Sequence, residues 1–189
     1  MEATHCLRKE HQVILKMLDC FELALREAHE SATIDRETFA SFLEFFHGFA
    51  DRCHHCKEED RLFPCLVKGG LPKESGPIGV MLAEHKEARQ LVALMENQLN
   101  DAATGNADAQ NTLLGHGDDY ISLLRAHIVK EDLVLFNMAD DMVQGATLEN
   151  LTRAYTEAEN EEGYDDTLTR CRTIADHCLA HYPVTAPQS

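Results

Sequence analysis

Two short stretches of the sequence place a histidine four residues before a glutamate. His54 precedes Glu58, and His127 precedes Glu131. Residues four apart lie one above the other on a helix face, so both side chains of a pair can reach one point. A single pair of this kind is usually a weak surface contact. Apolar residues flank both pairs, however, and a carboxylate in an apolar interior must be paired or must bind a metal ion.

The two halves of the chain repeat this arrangement at a nearly constant offset of 73 or 74 residues. Such an offset, kept over several residue types, indicates two related helix pairs that face one another. The first and third helices each carry a single histidine, and the second and fourth each carry the His-x3-Glu pair. The matched positions are Glu10-His11 with Glu84-His85, and His54, Lys57, Glu58 and Leu62-Phe63 with His127, Lys130, Glu131 and Leu135-Phe136.

These residue types predict a site for two cations inside a helical bundle. Two glutamates supply negative charge, each can bridge two metal ions, and four imidazoles fill the terminal positions. Mixed nitrogen and oxygen ligands suit iron or manganese, with zinc as a further alternative. The predicted metal ligands are His11, His54, Glu58, His85, His127 and Glu131.

The register of the second helix has an alternative, because His55 and Glu59 have the same spacing as His54 and Glu58. The repeat favours His54, since Leu62-Phe63 lies as far beyond it as the matching pair lies beyond its counterpart. On a regular helix, His55 and Glu59 would lie about 100° around the axis. We expect them near a neighbouring helix or solvent.

Apolar positions recur at helical spacing along most of the chain, and no stretch alternates as a strand would. The expected fold is all-α, an up-down-up-down antiparallel four-helix bundle over residues 1–145, with an additional C-terminal helical hairpin over 146–189. The helices are expected at 6–30, from Thr33 or Asp35 to Phe63, from Pro77 to about Asn100, from Ala109 to Met142, and as two more on either side of Gly163.

Composition limits the partners of the chain. The formal net charge of -16 repels polyanions and attracts cations, which excludes nucleic acid as an expected partner. No apolar run approaches the ~20 residues of a membrane span, and the N-terminus lacks a signal-peptide pattern. Seven cysteines are too few for a secreted disulfide scaffold. We therefore expect a cytoplasmic protein that binds neither membrane nor nucleic acid.

The four stretches "EHQVI", "HHCKEEDRLFP", "MLAEHKEAR" and "HIVKEDLVLF" resemble the hemerythrin-like, or HHE cation-binding, family over about residues 5–145. The resemblance implies a four-helix bundle around two iron ions, joined by an oxo or hydroxo bridge and two carboxylates. Carried over by motif, the four histidines become terminal ligands, and Glu58 and Glu131 become the bridging ones.

One position departs from the oxygen-carrying members, which have a further histidine four residues after the third-helix ligand. Arg89 stands there in this chain. The departure predicts a centre that is not a simple oxygen carrier. The position would be left for water, O2, NO or peroxide, or another side chain would fill it. Candidates for that side chain are Tyr120, His47 and His55.

Two functions remain open from the sequence, together with a third reading. The first is a di-iron protein that binds or reacts with a small oxidant, with or without turnover. The second is a non-enzymatic iron, oxygen or redox sensor that signals through the C-terminal helices to a partner that the sequence does not identify. The third is a metal-free or zinc-stabilised scaffold. The Cys53-x2-Cys56 pair and the histidines at 177 and 181 are expected to have no part in the metal site.

Overall fold

The computed structural model describes residues 3–183, and that range contains six helices and no strand. The first four form the bundle and the last two form a hairpin, so the all-α prediction is confirmed. The helices are α1 (His5–Ser31), α2 (36–68), α3 (Gly76–Ala103), α4 (107–142), α5 (Gly145–Glu159) and α6 (Tyr164–His181).

Side chains and backbone geometry fix the helix ends. The Asp35 carboxylate accepts a hydrogen bond from the backbone N–H of Glu37 at the start of α2. The Asn106 side chain accepts from Asp108 and Ala109 at the start of α4. Both contacts satisfy N–H groups that have no partner within the helix. Helix α3 starts with a proline in its first turn, as the sequence predicted.

Helix α2 continues five residues beyond its expected end at Phe63, passing through Pro64. A proline inside a helix removes one backbone hydrogen bond and crowds the preceding turn. Here it falls in the first turn of the α-helical stretch Phe63–Lys68, directly after a π-helical stretch, Glu58–Leu62. The change of winding lets the chain continue as helix.

Helices α2 and α4 contain π-helical stretches beside the predicted ligands. Phe46–His55 and Glu58–Leu62 lie in α2, and Glu131–Leu135 lies in α4. The last two are 73 residues apart, so the sequence repeat extends to the local winding of the backbone. Isolated π turns in helices are rare and occur frequently at functional sites.

The apolar core has two parts, and the polar residues lie between them. One cluster contains Phe21, Phe46 and Tyr120, and the other contains Leu62 and Phe136. Along the first three bundle helices the predicted ligand positions separate side chains of one cluster from those of the other, and along α4 the position of Glu131 does so. The site is therefore enclosed by apolar packing at both ends.

The C-terminal hairpin packs against the bundle. Tyr155 of α5 is buried in the second cluster, and Cys171 and Cys178 of α6 are buried in the first. Polar contacts join the hairpin to α2, including one between Arg61 and Glu161 at 2.8 Å. The hairpin therefore covers the face of the bundle that includes the outer side of α2.

Candidate metal centre

The bundle interior brings two groups of imidazoles and carboxylates within metal-binding distance. His11, His54, Glu58 and Glu131 form one group, and His55, His85 and His127 join Glu58 in the other. All seven side chains are buried, and in each group the potential ligand atoms lie within 4.8 Å of one another. The structure thus gathers the six residues singled out from the sequence and adds His55.

Each glutamate lies between imidazoles of two helices. The Glu58 oxygens are 3.5 Å from Nε2 of His54 and 3.4 Å from Nε2 of His85. One oxygen of Glu131 is 3.2 Å from Nε2 of both His11 and His127. A carboxylate placed in this way can contact both halves of the centre, as a bridging ligand must.

Four of the imidazoles have a carboxylate behind them. The Nδ1 atom of His54 is 2.9 Å from Glu10, and that of His127 is 2.9 Å from Glu84. An Nδ1–H group that donates to a carboxylate leaves the Nε2 lone pair free for a cation, and it fixes the orientation of the ring. The two contacts involve matching positions of the two halves, with the same offset of 73 or 74 residues that relates the halves in the sequence.

The same arrangement recurs for the two single histidines. The Nδ1 atom of His11 is 2.9 Å from Asp132 on α4. The Nδ1 atom of His85 is 2.7 Å from Glu59 on α2. Glu59 therefore lies near a neighbouring helix, which was one of the two places expected for it, and its carboxylate is the partner of His85.

The two lysines of the repeat pair with the same glutamates. The ammonium group of Lys57 donates to Glu10 and also to Glu159, at 2.9 Å from the latter. Lys130 donates to Glu84. Each half of the centre therefore has a chain of contacts that runs from a lysine through a glutamate to a histidine of the centre. The repeat in the sequence contained both glutamates and both lysines but gave them no role.

Burial and mutual repulsion set the electrostatics of the two glutamates. Burial, together with the neighbouring Glu131, raises the pKa of Glu58 well above its usual value. Burial also acts to raise the pKa of Glu131, but His127 and His11 outweigh it and hold that pKa well below its usual value. Without a cation, one carboxyl therefore keeps its proton while the other stays ionised.

Burial likewise keeps several imidazoles neutral. It lowers the pKa of His55 to about 3, with His85 adding to the effect, and it lowers the pKa of His54 well below the usual value. A neutral imidazole is the form that binds a metal ion. Burial also acts to lower the pKa of His11 and of His127, but neighbouring carboxylates, Glu131 among them, outweigh it and raise both. The metal-free centre therefore combines neutral imidazoles with imidazoles that hold a proton more readily than usual.

The polar atoms at the centre test whether a cation fits. Buried polar groups are normally hydrogen-bonded, and each exception needs an explanation. Among the described residues, nine buried side-chain atoms have no such partner, and eight of them belong to the centre. They include both oxygens of Glu58 and of Glu131, and both ring nitrogens of His55. Two cations would give a partner to the oxygens of both glutamates and to one nitrogen each of His11, His54 and His55.

His55 lies against a neighbouring helix, which was one of the two places expected for it, and it also joins one of the two groups of potential ligands. Its ring stacks on that of His85, with centroids 3.9 Å apart. The residue ends the π-helical stretch Phe46–His55, whose wider turns change the angle between successive side chains from the α-helical 100°. The repeat could not reveal this contribution, because Ile128 occupies the matching position in the other half.

Arg89 does not leave its half of the centre short of imidazoles. His55 joins His85 and His127 there, so this half has three imidazoles and the other has two. Tyr120 and His47 join neither group. Both instead line a cleft of ≈ 210 Å³ that reaches from the surface to His55. Of the two alternatives that Arg89 left open, the presence of His55 in this group favours the one in which another side chain takes the place of the missing histidine.

The remaining sequence motifs lie outside the two groups. Burial raises the pKa of the Cys53 thiol to about 11 and also raises that of Cys56, so neither is poised as a thiolate. His177 and His181 are exposed on α6. Neither pair has a place in the metal centre.

A helical bundle that buries two groups of imidazoles and carboxylates at its middle is a cation-binding protein. Residues 2–139 match the Hemerythrin HHE cation binding domain. The chain therefore belongs to the hemerythrin HHE family, as the four sequence stretches had indicated. None of the helices within residues 3–183 has the length and apolar character that crossing a membrane requires.

Several proteins resemble this chain over part of its length. A probable iron-sulfur cluster repair protein of Haemophilus influenzae is 30% identical over 141 residues, which cover 64% of this chain and 63% of that protein. The iron-sulfur cluster repair protein YtfE of Musicola paradisiaca is 38% identical over 89 residues, covering 46% of this chain and 40% of YtfE. An uncharacterized protein of Mycobacterium tuberculosis is 21% identical over 172 residues, covering 89% of this chain and 67% of its own. No solved structure matches this chain.

Proposed function

We propose that the chain is a non-haem di-iron protein whose centre binds or reacts with a small oxidant such as O2, NO or peroxide. The proposal takes two iron ions, held by the six predicted ligands together with His55. The supporting observation is the set of eight buried, unpartnered nitrogen and oxygen atoms, arranged as two overlapping groups that share Glu58.

Iron is favoured over zinc by the ligand types and their number. Zinc in structural sites is four-coordinate and often bound by cysteine. This centre has no cysteine among its ligands, and five imidazoles with two carboxylates exceed what one tetrahedral ion needs. Mixed imidazole and carboxylate ligation suits iron and manganese. A pair of iron ions would supply two one-electron couples and positions for a small ligand.

The protein side chains contribute orientation, charge and exclusion of water. The carboxylates at Nδ1 of four imidazoles hold each ring with Nε2 towards the interior. Glu58 has a pKa raised by burial, so it can hold a proton in the metal-free centre and must release it when it binds cations. The apolar clusters at either end keep bulk water out.

The cleft beside His55 offers a small ligand a way to the centre. Its walls include the apolar side chains of Phe46, Ala88 and Val92. A volume of ≈ 210 Å³ has room for a diatomic molecule or peroxide. The proposal of a small oxidant as the ligand follows from this size and from the type of metal centre.

The relatives fit this proposal without deciding it. One of them is named as a probable iron-sulfur cluster repair protein and another as the iron-sulfur cluster repair protein YtfE. The chain spans 63% of the first and 40% of the second, so an activity in cluster repair is a further proposal for this chain.

Anaerobic reconstitution with ferrous iron, followed by mixing with O2, NO or peroxide, tests the proposal. We expect two iron ions per chain and a change in the visible spectrum with at least one of the three oxidants. Loss of the response in Glu58→Ala, with the response kept in a surface control such as Glu149→Ala, would tie it to the centre. A spectrum that stays unchanged with all three oxidants would contradict the proposal.

A second candidate function is an iron or redox sensor that signals through the C-terminal hairpin. The observation that favours it is the contact of Lys57 with both Glu10 and Glu159. This chain of charges links His54 at the centre to the end of α5. A ligand-dependent change at the centre could therefore alter the packing of the hairpin.

Limited proteolysis distinguishes the two functions. A sensor is expected to show cleavage of residues 146–189 that differs between the ferrous and oxidised forms. Turnover of peroxide or NO, with the same cleavage in both forms, would favour the oxidant-reactive protein. Lys57→Met serves as the matched variant, because it removes the link to Glu159 while it retains all seven side chains of the centre.

A further inference from the structure

We propose that Arg89 is a positioning residue that holds two of the three imidazoles in one half of the centre. The inference rests on the proposed di-iron function. It gives Arg89 a role in binding one of the two cations, although a guanidinium group cannot itself be a ligand, because it offers only hydrogen-bond donors.

The guanidinium group joins two carboxylates of α2. Its Nε donates to Asp51 at 2.7 Å, and one terminal nitrogen donates to Glu59 at 2.7 Å. The same oxygen of Glu59 is 2.7 Å from Nδ1 of His85. The same oxygen of Asp51 is 3.6 Å from Nδ1 of His55. Arg89 thus holds the carboxylate that is hydrogen-bonded to His85, and it also holds Asp51, whose distance from the His55 ring is that of an ion pair and not of a hydrogen bond.

Within residues 3–183, no arginine of the other half joins the carboxylate partners of two imidazoles. Arg8 contacts Asp132 at 3.4 Å, and Asp132 is the partner of His11 there. The positions that match Asp51 and His55, however, are Leu124 and Ile128. The two halves of the centre differ in that one has a third imidazole, His55. Arg89 contacts Asp51, the carboxylate beside that imidazole.

The chemistry of the guanidinium group explains why arginine suits this place. Its planar fork of donors can bond two carboxylates in fixed directions, whereas an ammonium group acts as a point charge. Its positive charge also offsets the repulsion between Asp51 and Glu59. Without it, those carboxylates are expected to move apart and to release His55 and His85 from their orientations.

The expected effect falls on one of the two cations. Changes to the residues that orient metal-binding histidines typically weaken metal binding about 10- to 100-fold. We expect this loss for the ion bound by His55, His85 and His127 in Arg89→Gln. The ion bound by His11 and His54 should keep its affinity within about twofold.

The matched control is Arg125→Gln. Arg125 also donates to two carboxylates, Asp19 and Glu22, and its side chain is 37% exposed against 38% for Arg89. Its contacts lie outside both groups of ligands. A loss that arises merely from removing a surface arginine with two acidic partners would appear in both variants.

Stepwise ferrous affinities of the full chain, measured anaerobically by competition with a chelator, test the proposal. We expect one weakened step in Arg89→Gln, partial recovery in Arg89→Lys, and two unchanged steps in Arg125→Gln. When His55 has already been replaced by alanine, Arg89→Gln should weaken the binding of this cation less than it does in the wild type. The reason is that only the orientation of His85 then remains to be lost. Equal affinities in Arg89→Gln and the wild type, or equal losses at both steps, would overturn it.

A second readout needs no metal. Nitrogen-15 spectra of the histidine rings in the iron-free chain should shift for His85 and His55 in Arg89→Gln and stay constant for His54. Unchanged ring spectra would overturn the positioning role even if the wild type bound no iron. Failure of the wild type to bind iron would instead refute the proposed function, so the two failures are distinguishable.

Discussion

The lysine-glutamate ion pair occurs once in each half of the repeat, and the C-terminal hairpin contacts only one of the two copies. Replacing Lys57 with methionine tests how that contact changes the contribution of the pair to stability. Lys57 and Lys130 occupy matching positions and pair with matching glutamates, Glu10 and Glu84. The side chain of Lys57 is only 2% exposed, whereas that of Lys130 is 41% exposed. Lys57 also contacts Glu159 of the hairpin.

The difference in burial sets the expected magnitudes. Removing one partner of a buried ion pair costs about 3–5 kcal/mol, because it leaves an uncompensated charge. Glu10 can limit this cost by taking up a proton, since burial already raises its pKa, so we expect about 3 kcal/mol for Lys57→Met. An exposed pair contributes about 0.2–1 kcal/mol, which is the loss expected for Lys130→Met.

Urea unfolding of the iron-free chain measures both losses without a contribution from cation binding. The unfolding midpoint should fall several-fold further for Lys57→Met than for Lys130→Met, with similar dependence of the free energy on urea. Methionine keeps the length and apolar stem of lysine, so packing changes little. Equal midpoints for the two variants would refute the argument that the hairpin turns this pair into a buried one.

Three further predictions concern the centre. Iron-loaded protein should unfold at a higher temperature than iron-free protein, by a free energy of about 2.7 kcal/mol when free iron is 100 times its Kd; equal melting temperatures would count against a buried site. His54→Ala and His55→Ala should each weaken the binding of one cation by at least tenfold, which elemental analysis after dialysis can detect. If His55→Ala still binds two cations, His55 contributes packing and is not a ligand. Because burial lowers the pKa of His55 from 6.5 to about 3, the unfolded chain binds more protons between these values. The iron-free wild type should therefore lose about 1.4 kcal/mol more per pH unit than His55→Gln as the pH falls from about 6 to 3, and parallel pH profiles would show that His55 is not buried as a neutral ring.

The fold could be predicted from the sequence because apolar periodicity, caps and loop residues agree along most of the chain. The repeat also predicted which side chains meet. Glu58 and Glu131 lie at equivalent places in the structure, each between imidazoles of two helices. Long, regular helices make such inferences reliable, because side-chain direction follows from position.

The parts that could not be predicted depend on local winding and on contacts between helices. His55 faces the centre because it ends a π-helical stretch, and no pattern in the sequence predicts that stretch. Glu59 was assigned to a neighbouring helix or solvent, and only the placement of α3 shows that it supports His85. Arg89 looked like a lost ligand, but its two carboxylate partners are visible only in three dimensions.

Iron content, measured together with the visible spectrum, is the most direct test of the central claim. Protein purified from iron-replete cells should contain about two iron ions per chain, and its oxidised form should show the visible absorption of a bridged ferric pair. Glu58→Ala should lose both the iron and the absorption. Wild-type protein that contains no iron, or a single zinc ion in its place, would contradict the assignment of the two buried groups as a di-iron centre.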